Sequence, residues 1–214
     1  MQNSSRRRKI IAALAVVVPV LAGLAIVVFA HALGSETEEE GTTAKEAEPT
    51  RQTAVAPAAA GTPAPRVRLS EGASGARFDS SSLGGEPYAV VFISTACAPI
   101  GDYLGRAAAE LRGGGDAEAI LAISADPARD SPAAVAAYLA KHHLKGPPFH
   151  YLVGDEEELA GDWNAFGFEG PSPDCPPSVP AHLVDGSGEN DGVVDLAPGG
   201  PPSLLTDALA GMTK

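Results

Sequence analysis

The chain has 214 residues, 44% hydrophobic but only 5% aromatic, with 24 Gly and 19 Pro. That gives room for one ordinary domain whose core leans on Ala, Val, Leu and Ile. The net charge is -12, and an acidic body repels phosphate backbones, which argues against nucleic acid as a partner.

The first charged side chains are Arg6, Arg7, Arg8 and Lys9, and they run into an apolar stretch, Ile10 to Leu33, whose only ionisable side chain is His31. At about 1.5 Å per residue such a helix crosses a hydrocarbon core with some tilt. Pro19 can kink it without forbidding it. The basic cluster on one side and Glu36, Glu38, Glu39 and Glu40 on the other predict a cytoplasmic residue 1–9 segment, a single-pass anchor at 10–33 and an extracytoplasmic remainder at the cell membrane. A cleaved signal peptide is the rival, since Ala30-His31-Ala32 has the form of a cleavage site, but the apolar run is longer than a signal requires. Either way the domain lies where a disulfide persists. Residues 34–65, rich in Glu, Thr, Ala and Pro, are expected to be a disordered tether.

From residue 66 to 214, strand and helix patterns alternate, which predicts an α/β domain with a central mixed sheet flanked by helices, of thioredoxin-like order. Tyr88–Ser94 and Ala119–Ser124 read as strands buried on both faces, with a helix over Ile100–Leu111 between them. Ser131 and Pro132 open a helix that runs to Leu144. Phe149–Val153 is a third strand, and Asp155 caps a helix ending at Phe166 before Gly167. Val179–Asp185 and Val193–Leu196 form a hairpin, and Ser203–Met212 a last helix.

Two cysteines are present. Cys97 follows a buried strand and precedes a helix, so its thiol sits where the helix dipole favours a thiolate; the plain alternative is an inert buried thiol. Cys175 lies in the loop GPSPDCPPS, which a thioredoxin-like layout carries past Cys97. Three readings follow for the pair. A structural disulfide closing so long a loop contributes about 4 to 5 kcal/mol in the chain-entropy model. A redox-active disulfide cycles with Cys97 as the attacking thiol. Two thiolates also suit Cu(I). Elsewhere, Arg129 and Asp130 are expected to pair and stiffen the loop after Asp126-Pro127, the functional alternative being a carboxylate that faces the thiol. His142 and His143 suit a helix C-terminus. His150 and His182 fall within strands, His182 being the better ligand candidate. Trp163 and Phe166 read as core.

The segments YAVVFISTACAPIGDYL, AILAISADPARDSPAAVAAYLAKHHL, YLVGDEEELAGDWNAFGF and AHLVDGSGE, spanning roughly residues 67 to 196, resemble the SCO/SenC family in order and spacing. The run from Ile120 to Leu139, with its DPxRDxP centre, is the most specific. The resemblance implies a thioredoxin-like fold behind a membrane anchor, and a copper chaperone or thiol-disulfide reductant serving the copper centre of cytochrome oxidase, so the implied partners are a respiratory oxidase subunit or another extracytoplasmic metalloprotein. The family's copper ligands are the two cysteines of a CxxxC motif and a distal histidine. Cys97 matches the first cysteine, Gly101 stands at the second, and the histidine position falls near Pro177. A Cys97 and Cys175 site, bis-thiolate or disulfide, is the rearrangement this implies, and a thiol peroxidase using Ser94 or Thr95 is a further possibility. The runner-up is a non-catalytic binding module with a static Cys97–Cys175 disulfide.

Overall fold

In the structure, a computed structural model, residues 59–114, 118–172 and 174–212 are described. The predicted cytoplasmic segment, the anchor at 10–33 and the tether as far as residue 58 lie outside them. Among the described residues no helix is long and apolar enough to cross a membrane.

Seven strands form one sheet. They are β1 (Arg68–Glu71), β2 (Arg77–Asp79), β3 (Tyr88–Ile93), β4 (Ala119–Ser124), β5 (Phe149–Val153), β6 (Val179–Val184) and β7 (Asn190–Leu196), arranged in the order β2-β1-β5-β4-β3-β6-β7. The central β3, β4 and β5 run parallel. The outer strands pair antiparallel, which makes the sheet mixed. Every residue of β3 and β4 is buried, as continuous apolar runs require when helices cover both faces. On one face lie α1 (Ala98–Gly114), α2 (Pro132–Lys141) and α4 (Ser203–Ala210), packed through Ile100, Leu104, Val135, Tyr138, Leu205 and Leu209. On the other, α3 (Glu156–Phe166) seats Leu159, Trp163 and Phe166 against Val90, Phe92 and Leu121. This is the predicted mixed α/β sheet with flanking helices.

Local chemistry sets the element ends. Asp155 and Glu158 form a reciprocal capping box at the start of α3, and Gly167 ends it at φ 74°. The Ser131 hydroxyl caps α2 by accepting from the Ala134 amide, with Pro132 in the first turn. That helix stops at Lys141, short of the expected Leu144, because His143 takes a left-handed φ of 57°. The α1 helix starts two residues earlier than Ile100, since Pro99 is well placed in a first turn where no amide is needed. The β6–β7 hairpin forms, with β7 reaching back to Asn190 through a bulge at Leu183/Val184.

Two features at the front of the domain differ from expectation. The β1–β2 hairpin and the 3-10 turn at Ser80–Leu83 were not foreseen; each strand is too short for its alternation to stand out. Residues expected to belong to the tether are bonded to the domain: the Gly61 amide donates to the Asn190 carbonyl and the Ala64 amide to the Gly188 carbonyl, both at 2.8 Å. The folded body therefore reaches back at least to Gly61.

Candidate functional site

Strand β6 lies antiparallel to β3, with Val91 opposite Ala181 and Tyr88 opposite Val184. Continuing that register beyond the ladder, four residues past Ile93 is Cys97, and four residues before Val179 is Cys175. The sheet thus brings the two cysteines to the same level at one end, and they are joined by a disulfide with Cα atoms 4.9 Å apart, within the usual span of about 4.4–6.8 Å.

The two sulfurs sit in unequal surroundings. Cys97 is 2% exposed and belongs to the core under α1. Its amide donates to the Ser94 carbonyl, and its own carbonyl accepts from the Gly101 amide, so it occupies the N-cap position of α1. Tyr138 Oη, reaching across from α2, donates to that same carbonyl at 3.0 Å. Cys175 is exposed, in the Pro-rich loop that leaves α3 and enters β6. Before it, the Ser172 amide ties the loop to the Ala125 carbonyl at 2.7 Å.

Asp130 carries much of the support behind Cys97. It is buried, and it accepts from the Thr95 amide at 2.8 Å, from Ser124 Oγ at 2.6 Å and from Tyr151 Oη at 2.8 Å. The expected Arg129–Asp130 pairing is corrected here: the Arg129 guanidinium pairs with Asp126 at 3.3 Å, while Asp130 turns inward to hold the backbone two residues ahead of the thiol. Burial, together with the negative charge and hydrogen bond of Asp130, pushes the Tyr151 phenol well above its ordinary pKa. Tyr138 is pushed up likewise, chiefly by burial. Both remain neutral donors at any physiological pH.

The space a second motif cysteine would need is already filled. A Cβ at Gly101 would come within 2.5 Å of Tyr138 Oη and 2.8 Å of the His142 ring. The His142 ring is buried, with Nδ1 2.7 Å from Asp102 on α1. It therefore does more than interact with a helix end, the role the sequence suggests. His182 is corrected as a ligand candidate. Its ring lies between Phe92 and Phe166 on the α3 side of the sheet, away from the cluster holding Cys97, and burial lowers its pKa. His150 is bonded to Glu71 at 2.6 Å on the wall of a 470 Å³ cavity between α2 and β5 that includes neither cysteine. Among the described residues no group of three or more His, Cys, Asp or Glu side chains could hold a metal ion. The two-cysteine, one-histidine copper set implied by the resemblance does not fit these side chains.

Residues 71–174 match the family model described as SCO1/SenC. These residues are an SCO1/SenC domain. Cys97 lies inside the matched segment and Cys175 one residue beyond it. No curated protein matches the chain. Among solved structures it is similar to BsSco, a member of the Sco family of cytochrome c oxidase assembly proteins, at 17% identity and TM-score 0.57, covering 71% of this chain and 93% of that one. It is also similar to copper-bound yeast Sco1, at 23% identity and TM-score 0.53, covering 70% and 87%. The thioredoxin domain of a Bacteroides vulgatus thiol-disulfide oxidoreductase, 13% identical at TM-score 0.55 with 73% and 99% covered, shares the thioredoxin-like fold. Sequence reasoning missed Tyr138 and gave His142 only its place at the helix end. Their signal was a tyrosine on α2 and the histidine capping that helix one turn later, both facing Gly101 on α1.

Proposed function

We propose that this chain is a membrane-anchored extracytoplasmic SCO/SenC protein that performs thiol-disulfide exchange through Cys97 and Cys175, in the assembly of a respiratory oxidase or another extracytoplasmic metalloprotein. The observation that carries the reading is a disulfide between a helix N-cap and an exposed loop, built on the family's first motif cysteine. An exposed sulfur gives a partner thiol access, and a helix N-terminus stabilises the thiolate released when the bond breaks. BsSco, in which a disulfide switch has been identified, supports the same chemistry by likeness. The anchor at 10–33 and the cytoplasmic segment 1–9 belong to the proposal on the strength of their sequence.

Cells lacking the chain are expected to assemble a respiratory oxidase poorly. The wild-type gene restores its copper-centre absorbance, and Cys97→Ser or Cys175→Ser does not. Full restoration by both serine variants at normal protein levels contradicts the exchange reading and leaves the static disulfide of a binding module. Copper handling rests on the reduced pair, whose two adjacent thiolates are soft ligands suited to Cu(I). If each serine variant keeps the Cu(I) affinity of the reduced full chain, the copper reading fails.

A further inference from the structure

Resting on the exchange reading, we infer that Cys175 is the sulfur that forms the mixed disulfide with a partner, and that Cys97 is the buried leaving and resolving thiol. This reverses the assignment that helix position alone suggests for Cys97, and it follows from access and from the way each cysteine is held.

Exchange requires an incoming thiolate to approach one sulfur along the line of the bond it breaks. Cys97 is 2% exposed, within the core cluster of Ile100, Leu104 and Tyr138. Its backbone is fixed on both sides: the Thr95 amide is held by buried Asp130, and the Cys97 carbonyl takes hydrogen bonds from Tyr138 Oη and the Gly101 amide. Cys97 Sγ is covered by that core, and shifting the backbone to bring it outward would break these bonds together. Cys175 is exposed among the exposed residues Asp174, Pro176 and Pro177. Among the described residues, a protein thiol meets the disulfide without displacing core from the Cys175 side.

The chemistry balances with a protein dithiol as reductant. One partner thiolate attacks Cys175 Sγ, forming a Cys175–partner disulfide. The Cys97–Cys175 bond breaks, and its electron pair leaves on Cys97 Sγ at the N-terminus of α1. The partner's second thiolate then attacks its own disulfide-bonded sulfur and releases the Cys175 thiolate. The partner ends oxidised and this chain ends as a dithiol. In reverse, the Cys175 thiolate attacks a disulfide substrate and Cys97 resolves the intermediate. A better leaving thiolate leaves faster, so the helix N-terminus and the exposure difference favour the same direction.

The test uses the oxidised wild-type full chain in detergent micelles. It is mixed briefly with glutathione, quenched with excess iodoacetamide and mapped by peptide mass spectrometry. The expected singly reacted species carries glutathione on Cys175 and carbamidomethyl on Cys97, outnumbering the opposite pattern at least tenfold. Glutathione mainly on Cys97 overturns this inference and leaves exchange itself standing. A chain that forms neither adduct and keeps its disulfide under reducing glutathione overturns the exchange reading as well. A second readout uses the reduced single variants: Cys97→Ser is expected to react with 5,5′-dithiobis(2-nitrobenzoate) at least tenfold faster than Cys175→Ser. Equal rates in two variants with wild-type circular dichroism contradict the assignment.

Discussion

At position 101 the lack of a side chain is a packing requirement. A Cβ there would press on Tyr138 Oη and the His142 ring, and neither can retreat easily, one being bonded to the Cys97 carbonyl and the other to Asp102. In an ordinary exposed helix, Gly→Ala stabilises by roughly 0.5–1 kcal/mol. Here overpacking reverses the sign: Gly101→Ala is expected to destabilise the full chain by about 1–3 kcal/mol in urea denaturation. A gain in stability contradicts the packing described. That Gly101 stands at the second motif cysteine was legible only through the family resemblance. What fills the space was not, because the aromatic group comes from α2, far away in the chain.

At the scale of elements, the turn from β3 into α1 is held by a carboxylate from the loop ahead of α2. Asp130→Ala removes the acceptor of the Thr95 amide and the Ser124 hydroxyl, and leaves Tyr151 Oη only the Ile93 carbonyl at 3.2 Å. A loss of about 2–4 kcal/mol is expected, since a buried hydroxyl and a part-buried amide lose their acceptor at once and a buried phenol loses the shorter of its two bonds; a change below about 0.5 kcal/mol in thermal or urea unfolding contradicts that role. Helix α3 supplies a pH prediction. Burial raises the Asp162 carboxyl from 3.8 to about 6, so the folded chain holds its proton more tightly than the unfolded one. Stability from this group is complete below pH 3.8, declines as pH rises and is lost above about 6. Between pH 4 and 7 the wild type should lose thermal stability relative to Asp162→Asn, and parallel curves refute the burial argument. Strands β4 and β5 and the capped helix α3 were legible because their signals are local: continuous apolar runs, and Asp155 with Gly167. The β1–β2 hairpin was not, since so short a pair is stabilised by docking on β5. The direction of Asp130 stayed open between a surface pair with Arg129 and a carboxylate facing the thiol, and only the fold shows three donors converging on it.

For the whole molecule, the decisive fact is that β6 returns antiparallel beside β3 and carries Cys175 to the level of Cys97. The sequence revealed two cysteines and a plausible meeting place, but the register that aligns them depends on strand pairing between segments far apart in the chain. With that register in place, the described residues, which do not supply the three-ligand copper set the resemblance implies, hold a sulfur pair with one buried and one exposed cysteine. The reduction potential of the pair in the full chain, measured by equilibration with glutathione and dithiothreitol buffers, tests this account most directly. An exchange-competent disulfide is expected above about -300 mV, and a value well below that marks a static structural bond and contradicts the account.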